Sequence, residues 1–194
     1  MNSKKSEANK LERIFSATLA LVSKVGIAGI KMSSIAEEAN IATGTVYLYF
    51  KNKSELLNAL YAKLKREGIF SIMGKIDHLP THIQLYKLWS IAFEYHVTSH
   101  CKSIFMEQFE FSPLISKENI ALEEDTILFL NQTLDRAKSE GIIKDLNNHL
   151  ITSLILGFLR NLAQKYSLDL INITPETKDS AYALCWDAIK KVKK

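Results

Sequence analysis

The stretch Thr43–Leu57, TGTVYLYFKNKSELL, carries two threonines, two tyrosines, two lysines and an asparagine, with few apolar residues among them. Hydroxyls and ammonium groups at this density hydrogen-bond and attract anions, and a segment that only filled a core would not display them. Read as a helix, Val46 and Phe50 lie four apart and share an inward face with part of the Tyr47 ring. Thr43, Thr45, Tyr49 and the Tyr47 hydroxyl are left outward. Gly44, without a side chain, lets the start of the helix approach a phosphate or base closely. Lys51 and Lys53 follow as cations for backbone phosphates. The chemistry indicated is binding to a polyanion.

The charge distribution agrees. Net charge is +4, yet up to Arg66 there are eleven lysines and arginines against five acids, and beyond it fourteen bases against sixteen acids. A basic first third on a near-neutral body fits a front end that meets a polyanion.

Stepping out from the segment, Leu11, Ile14, Phe15, Leu21, Val22 and Val25 follow helical spacing, which predicts a first helix from about Ala8 to Val25 with Gly26 as its left-handed cap. Ser34 and Glu37 have capping-box spacing, so a short helix starts near Ser33 or Ser34. Asn40 tolerates positive φ and suits a tight turn. The segment Thr43–Phe50 is the next helix, and Ser54 is expected to cap a longer one. A long helix followed by two short ones across a three- or four-residue turn is the helix-turn-helix arrangement, whose second short helix enters the DNA major groove.

At this point IAEEANIATGTVYLYFKNKSELL resembles the DNA-binding signature of the TetR (tetracycline-repressor) family of bacterial transcriptional regulators, whose pattern is approximately I-A-x-x-A-G-V-S-x-G-T-[LIV]-Y-x-[YH]-F-x-[ND]-K-[ED]-x-L. Ile35, Ala36, Ala39, Ile41, Gly44, Thr45, Val46, Tyr47, Tyr49, Phe50, Asn52, Lys53 and Leu56 carry the match. The resemblance implies DNA contacts from Thr43, Gly44, Thr45, Tyr47 and Tyr49, and phosphate contacts from Lys53 and from the helix start near Ser33. It departs at Asn40, where glycine is usual, at Ala42 in place of serine, and at Lys31 in place of a capping threonine. It further implies a ligand-responsive regulator, a repressor by preference, whose body takes an unidentified small-molecule effector.

Scarce glycine and proline (seven and three) favour an all-α fold. The expected domains are a three-helix DNA-binding unit, 1–53, and a helical ligand-binding and dimerisation body, 54–194, joined by a continuous helix near 54–75. In the body, helices are expected from Pro80 through His96, around Ile104–Phe111, over about Lys117–Glu140, from Asn147 to Leu168, and from Thr174 to Lys191 with Pro175 in the first turn. Aromatic and sulfur-bearing residues in the middle predict an apolar chamber for a lipophilic effector, lined by Trp89, Phe93, His96, Met106, Phe109 and Phe129. Glu94, Glu107 and Glu110 on neighbouring turns raise the alternative of a cationic ligand. The last two helices are apolar on more than one face, so Leu154, Gly157, Phe158, Tyr182, Trp186 and Ile189 are expected at a homodimer interface, giving the paired half-sites of a palindromic operator.

No G-x-S-x-G, H-E-x-x-H or glycine-rich phosphate loop occurs, so an enzyme is not expected, nor a cofactor. The pairs His96–His100 and His78–His82 have zinc-like spacing, but Pro80 interrupts the second, and no metal is expected. Cys101 and Cys185 match no metal spacing and fit a reducing compartment. MNSKKSEANK lacks the apolar block of a secretory signal, and the longest apolar run is too short to span a bilayer, so the protein is expected in the cytoplasm with no membrane partner. The alternative function is a helix-turn-helix protein controlled by a protein partner, without a small effector.

Overall fold

The computed structural model describes residues 2–192, with side chains from residue 7 onward; Lys4 and Lys5, counted in the basic first third, lie outside those side chains. Ten α-helices order the described residues: α1 Asn2–Gly29, α2 Met32–Glu38, α3 Thr43–Tyr49, α4 Lys53–Glu67, α5 Met73–Ile76, α6 Thr81–Phe93, α7 His100–Glu110, α8 Lys117–Ser139, α9 Asn148–Ser167 and α10 Pro175–Ile189. A 3₁₀ turn at Ile69–Ser71 precedes α5, and a π turn at Glu94–Thr98 extends α6. Among the described residues no helix is long and apolar enough to cross a membrane.

The chain divides into two compact units, Met1–Leu64 with Cys101–Ala121, and Lys65–His100 with Leu122–Lys194. This differs from the expected division at residue 53. Helix α4 packs Leu56, Leu57, Leu60, Tyr61 and Leu64 inside the first unit, and α7 joins it. The reason is aromatic packing: Tyr61 and Phe109 rings lie 5.5 Å apart, and Phe105 stacks on Phe109 at 5.5 Å. Nor does one helix run through 54–75, since Gly68 ends α4 and the 3₁₀ turn intervenes.

In the first unit, Ile14, Phe15 and Val22 of α1 are buried with Ile35 of α2, Val46 of α3 and Phe50. Burying each such side chain contributes roughly 1.5–3 kcal/mol. Gly26, at φ 71, breaks α1 as its glycine permits, and a last turn follows to Gly29. That break leaves Ile27 without its ordinary helical partners. Gln108 Oε1 accepts the Ile27 N–H at 3.0 Å, and Lys53 Nζ donates to the Ile27 and Ile30 carbonyls at 3.1 and 3.3 Å.

Two caps differ from expectation. Lys31 is the residue before α2, and Ser34, inside the helix, accepts the Lys31 N–H at 3.0 Å. Asn52, ahead of Ser54, caps α4 by accepting the Glu55 N–H at 2.9 Å, while Glu55 accepts the Lys51 N–H at 2.8 Å. The amide of Asn58 then fixes the segment after α7, donating to Leu114 O at 2.8 Å and accepting from Ser116 N at 2.7 Å.

In the second unit, two apolar clusters form. Trp89, Phe93 and Val97 pack with Leu159, Leu162, Ala163, Ala181 and Cys185. Leu85 packs with Leu134, Ala137, Ile143, Ile151 and Ile189. Asn147 and Thr174 cap α9 and α10 through their side chains, with Pro175 in the first turn of α10.

Candidate nucleic-acid interface

Helix α3 is seven residues long and offers one free side. Val46 is fully buried and Phe50 nearly so, the latter against Phe15 with ring centroids 5.8 Å apart. Those two anchors leave Thr43, Gly44, Tyr47 and Leu48 on a continuous exposed arc of about 140° at 3.6 residues per turn. Tyr47 is 51% exposed and Leu48 86%. An extra carbon at Gly44 would meet nothing within 4 Å, so the N-terminal turn is open on that side.

The turn that aims α3 is built from two residues. Asn40 adopts φ 50, the conformation its sequence suggested. Arg13 of α1 donates to the carbonyls of Ala39 and Asn40, at 2.5 and 2.6 Å, satisfying the C-terminal end of α2. Arg13 escaped the sequence reading, because its partner lies 26 residues away.

Of the eight residues expected at DNA, Ser33, Thr43, Gly44, Tyr47 and Lys51 are exposed, while Thr45, Tyr49 and Lys53 are half-buried. The Tyr49 hydroxyl is engaged with the Glu7 carbonyl at 3.3 Å. Lys53 spends its ammonium on the carbonyls of Ile27, in the last turn of α1, and Ile30, just beyond it, so it ties α4 to the end of α1. Leu48 was not among the expected residues; its exposure depends on which way α3 rolls, and composition alone does not report that.

Two family patterns match the chain. "Bacterial regulatory proteins, tetR family" covers residues 14–60, and "Tetracyclin repressor-like, C-terminal domain" covers 80–190, more than half of the chain. The chain belongs to the TetR family. An HTH-type transcriptional regulator of Haemophilus influenzae is 29% identical over 184 residues, 93% of this chain and 95% of that protein. The transcriptional repressor KstR of Rhodococcus jostii is 41% identical over 61 residues, 31% of this chain and 29% of the repressor. A crystal structure of a TetR family transcription regulator from Marinobacter aquaeolei superposes with a TM-score of 0.77 at 21% identity, covering 97% of this chain and all of that one. This TetR-family protein is therefore a helix-turn-helix, DNA-binding transcription regulator of all-α fold, in a family of regulators and not of enzymes.

In the second unit of this TetR protein, residues of α6, α8, α9 and α10 line an apolar, partly open cavity of about 100 Å³. Of the six residues expected around a chamber, Trp89 lines it and the other five do not. Phe93 is buried in the neighbouring cluster with the Lys178 ammonium 5.4 Å from its ring centre. Met106 and Phe109 belong to the first unit, because α7 turns its aromatic face to α4. Phe129 is half-buried outside the wall, and His96 sits on the π turn. The acidic trio is also dispersed: Glu94 pairs with Lys178 at 2.5 Å in the second unit, and Glu107 and Glu110 stand in the first. Ser99, outside any helix, separates His96 from His100, so the pair does not share one regular helical face.

Burial, then the Arg160 and Lys65 charges, lowers the His96 pKa from 6.5 to about 4. Burial and then Glu67 and Glu123 raise that of Tyr95.

The expected dimer residues divide. Leu154 and Gly157 are exposed on α9, and Phe158 is half-buried. Tyr182 and Trp186 are turned inward, stacked on each other at 6.2 Å and lining the cavity. Ile189 is 5% exposed in the core. The period of α10 accounts for this placement: Ala181, Cys185 and Ile189 take the core stripe, leaving Leu184, 64% exposed, and Ala188 outward. Leu150, at 65%, extends the free stripe of α9.

Proposed function

We propose that this TetR-family protein is a repressor that binds a palindromic operator as a homodimer and leaves it when a small lipophilic molecule occupies the cavity of the second unit. The observation that carries the DNA half is the free arc of α3, anchored by Val46 and Phe50 and open at Thr43, Gly44, Tyr47 and Leu48. Thr43 and the Tyr47 hydroxyl supply hydrogen bonds to base edges, and Leu48 an apolar contact for a thymine methyl. Ser33 and Lys51 contact phosphates on either side. Thr45 and Tyr49 support this arc from its half-buried flank, and Lys53 holds the frame.

Duplication of the unit supplies the second half-site. The free apolar stripes of α9 and α10, Leu150, Leu154 and Leu184, support pairing of two copies through these helices. The cytoplasm is the compartment in which such a regulator meets its operator. An apolar cavity favours a small effector over control by a protein partner. Its occupation shifts a two-state equilibrium by differential affinity, and operator affinity falls by the same coupling.

The test is selection from a random duplex pool with the full-length protein. Enriched sequences are expected to hold two inverted half-sites, centred one helical turn of about 10 bp apart or a multiple of it. Affinity is expected to fall steeply with salt, and Lys51→Ala to reduce the log–log slope by about one. A pool without inverted symmetry, or binding insensitive to salt, sinks the proposal.

A further inference from the structure

We infer that the operator is read through the 5-methyl groups of its pyrimidines, so that the pairs under α3 are A·T and a 5-methylcytosine can stand in for a thymine. This rests on the operator reading above and goes beyond it by naming the group on the bases that decides binding. The free arc of α3 carries Thr43, Gly44, Tyr47 and Leu48. In the major groove, guanine is picked out by an arginine or lysine that bonds O6 and N7 together, adenine by an asparagine or glutamine, and cytosine by a carboxylate. The sequence of α3, TGTVYLY, contains none of these side chains, and its N-cap is Ala42. Long cations nearby are occupied or stand off the helix. Arg13 is held by the Ala39 and Asn40 carbonyls, and Lys53 by those of Ile27 and Ile30. Lys24 pairs with Glu38 at 3.6 Å. Lys51 lies beyond the end of α3, in place for a phosphate.

What remains on the arc is neutral. The Thr43 and Tyr47 hydroxyls can each donate or accept, so neither alone tells one base edge from another. Discrimination therefore falls to carbon. Leu48 is 86% exposed, the most exposed of the large apolar side chains among the described residues, and Thr43 adds a methyl group on the same arc. The apolar surface of Leu48 is in water in the free protein, and covering it against another apolar group is favourable. The thymine methyl is the apolar group that the major groove offers, and 5-methylcytosine places the same carbon at the same position of the ring.

The test starts from the duplexes that the full-length protein enriches from a random pool, with affinity read by fluorescence anisotropy at fixed salt. Thymine is replaced by uracil one position at a time, which removes the methyl group and keeps the base pair. At least one position in each half-site is expected to lose about fourfold, the worth of one buried carbon group. The salt slope should stay the same, because no phosphate contact is lost. Cytosine at that position should bind more weakly than thymine, and 5-methylcytosine should regain about fourfold over cytosine. Guanines replaced by 7-deazaguanine, which lacks the N7 acceptor, should leave affinity unchanged. Uracil tolerated at every position, 5-methylcytosine no better than cytosine, or a loss of about fivefold or more with 7-deazaguanine overturns the inference. A pool that enriches no sequence overturns it as well. The substitutions are read in whichever duplex is enriched, so a pool with a sequence preference but no inverted symmetry sinks the operator reading alone.

Discussion

Tyr47 and Lys53 are four and ten residues past the start of α3, and the family resemblance assigns both to DNA, yet their surroundings differ. The Tyr47 ring is half in solvent and, in the proposed role, does its work on the operator. Lys53 is tied to the carbonyls of Ile27 and Ile30. Tyr47→Ala is expected to lower operator affinity tenfold or more with little change in melting temperature, by anisotropy and calorimetry. Lys53→Ala is expected to lose both, because the Ile27 and Ile30 carbonyls lose their charged donor, at about 1–3 kcal/mol. A Lys53→Ala protein that melts with the wild type would return that lysine to the phosphates alone. Leu48 gives a finer prediction. If it meets a thymine methyl, replacing that thymine by uracil costs the wild type several-fold in affinity and costs Leu48→Ala nothing, a coupling that a double-mutant cycle reads directly.

Among the elements, the π turn at Glu94–Thr98 sets the acid behaviour of the second unit. It continues α6 and carries the half-buried His96, whose pKa is lowered to near 4 from an ordinary 6.5 by burial and then by the Arg160 and Lys65 charges. The unfolded chain therefore takes up a proton at this site first as pH falls. Stability from neutral His96 is complete above about 6.5 and is lost as pH falls toward about 4, by roughly 2–3 kcal/mol. His96→Gln is expected to flatten the urea midpoint against pH across that window relative to wild type. Equal slopes for the two proteins would remove His96 from the account. The tie between α1, α4 and α7 at Ile27 has the same elemental character: one helix break at Gly26 is satisfied by side chains from two other helices.

At the scale of the whole molecule, two copies must stand a fixed distance apart for the paired recognition helices to act. Leu154→Glu places a charge on the exposed stripe of α9 without touching the buried Ile151 or Leu159. It is expected to yield a folded monomer by sedimentation, with unchanged helical content and operator affinity reduced by two orders of magnitude or more. A variant that stays dimeric would move the interface off α9.

Much of this was written in the chain as local chemistry. Helical spacing marked the first helix and the five from Pro80 onward, Asn40 announced its turn, and Thr174–Pro175 announced the start of α10, because each signal lies within one or two turns of its effect. The family pattern in residues 35–56 carried the DNA-binding identity for the same reason. What the sequence left open was which of two apolar faces a helix turns inward. On α10, Tyr182, Trp186 and Ile189 read as readily as dimer contacts as they do as cavity wall and core. On α7, Met106 and Phe109 read as chamber lining and prove to pack in the first unit. Roll about a helix axis is fixed by partners far away in sequence, such as Phe109 on Tyr61 or Arg13 on Asn40, and only the folded chain brings those partners together.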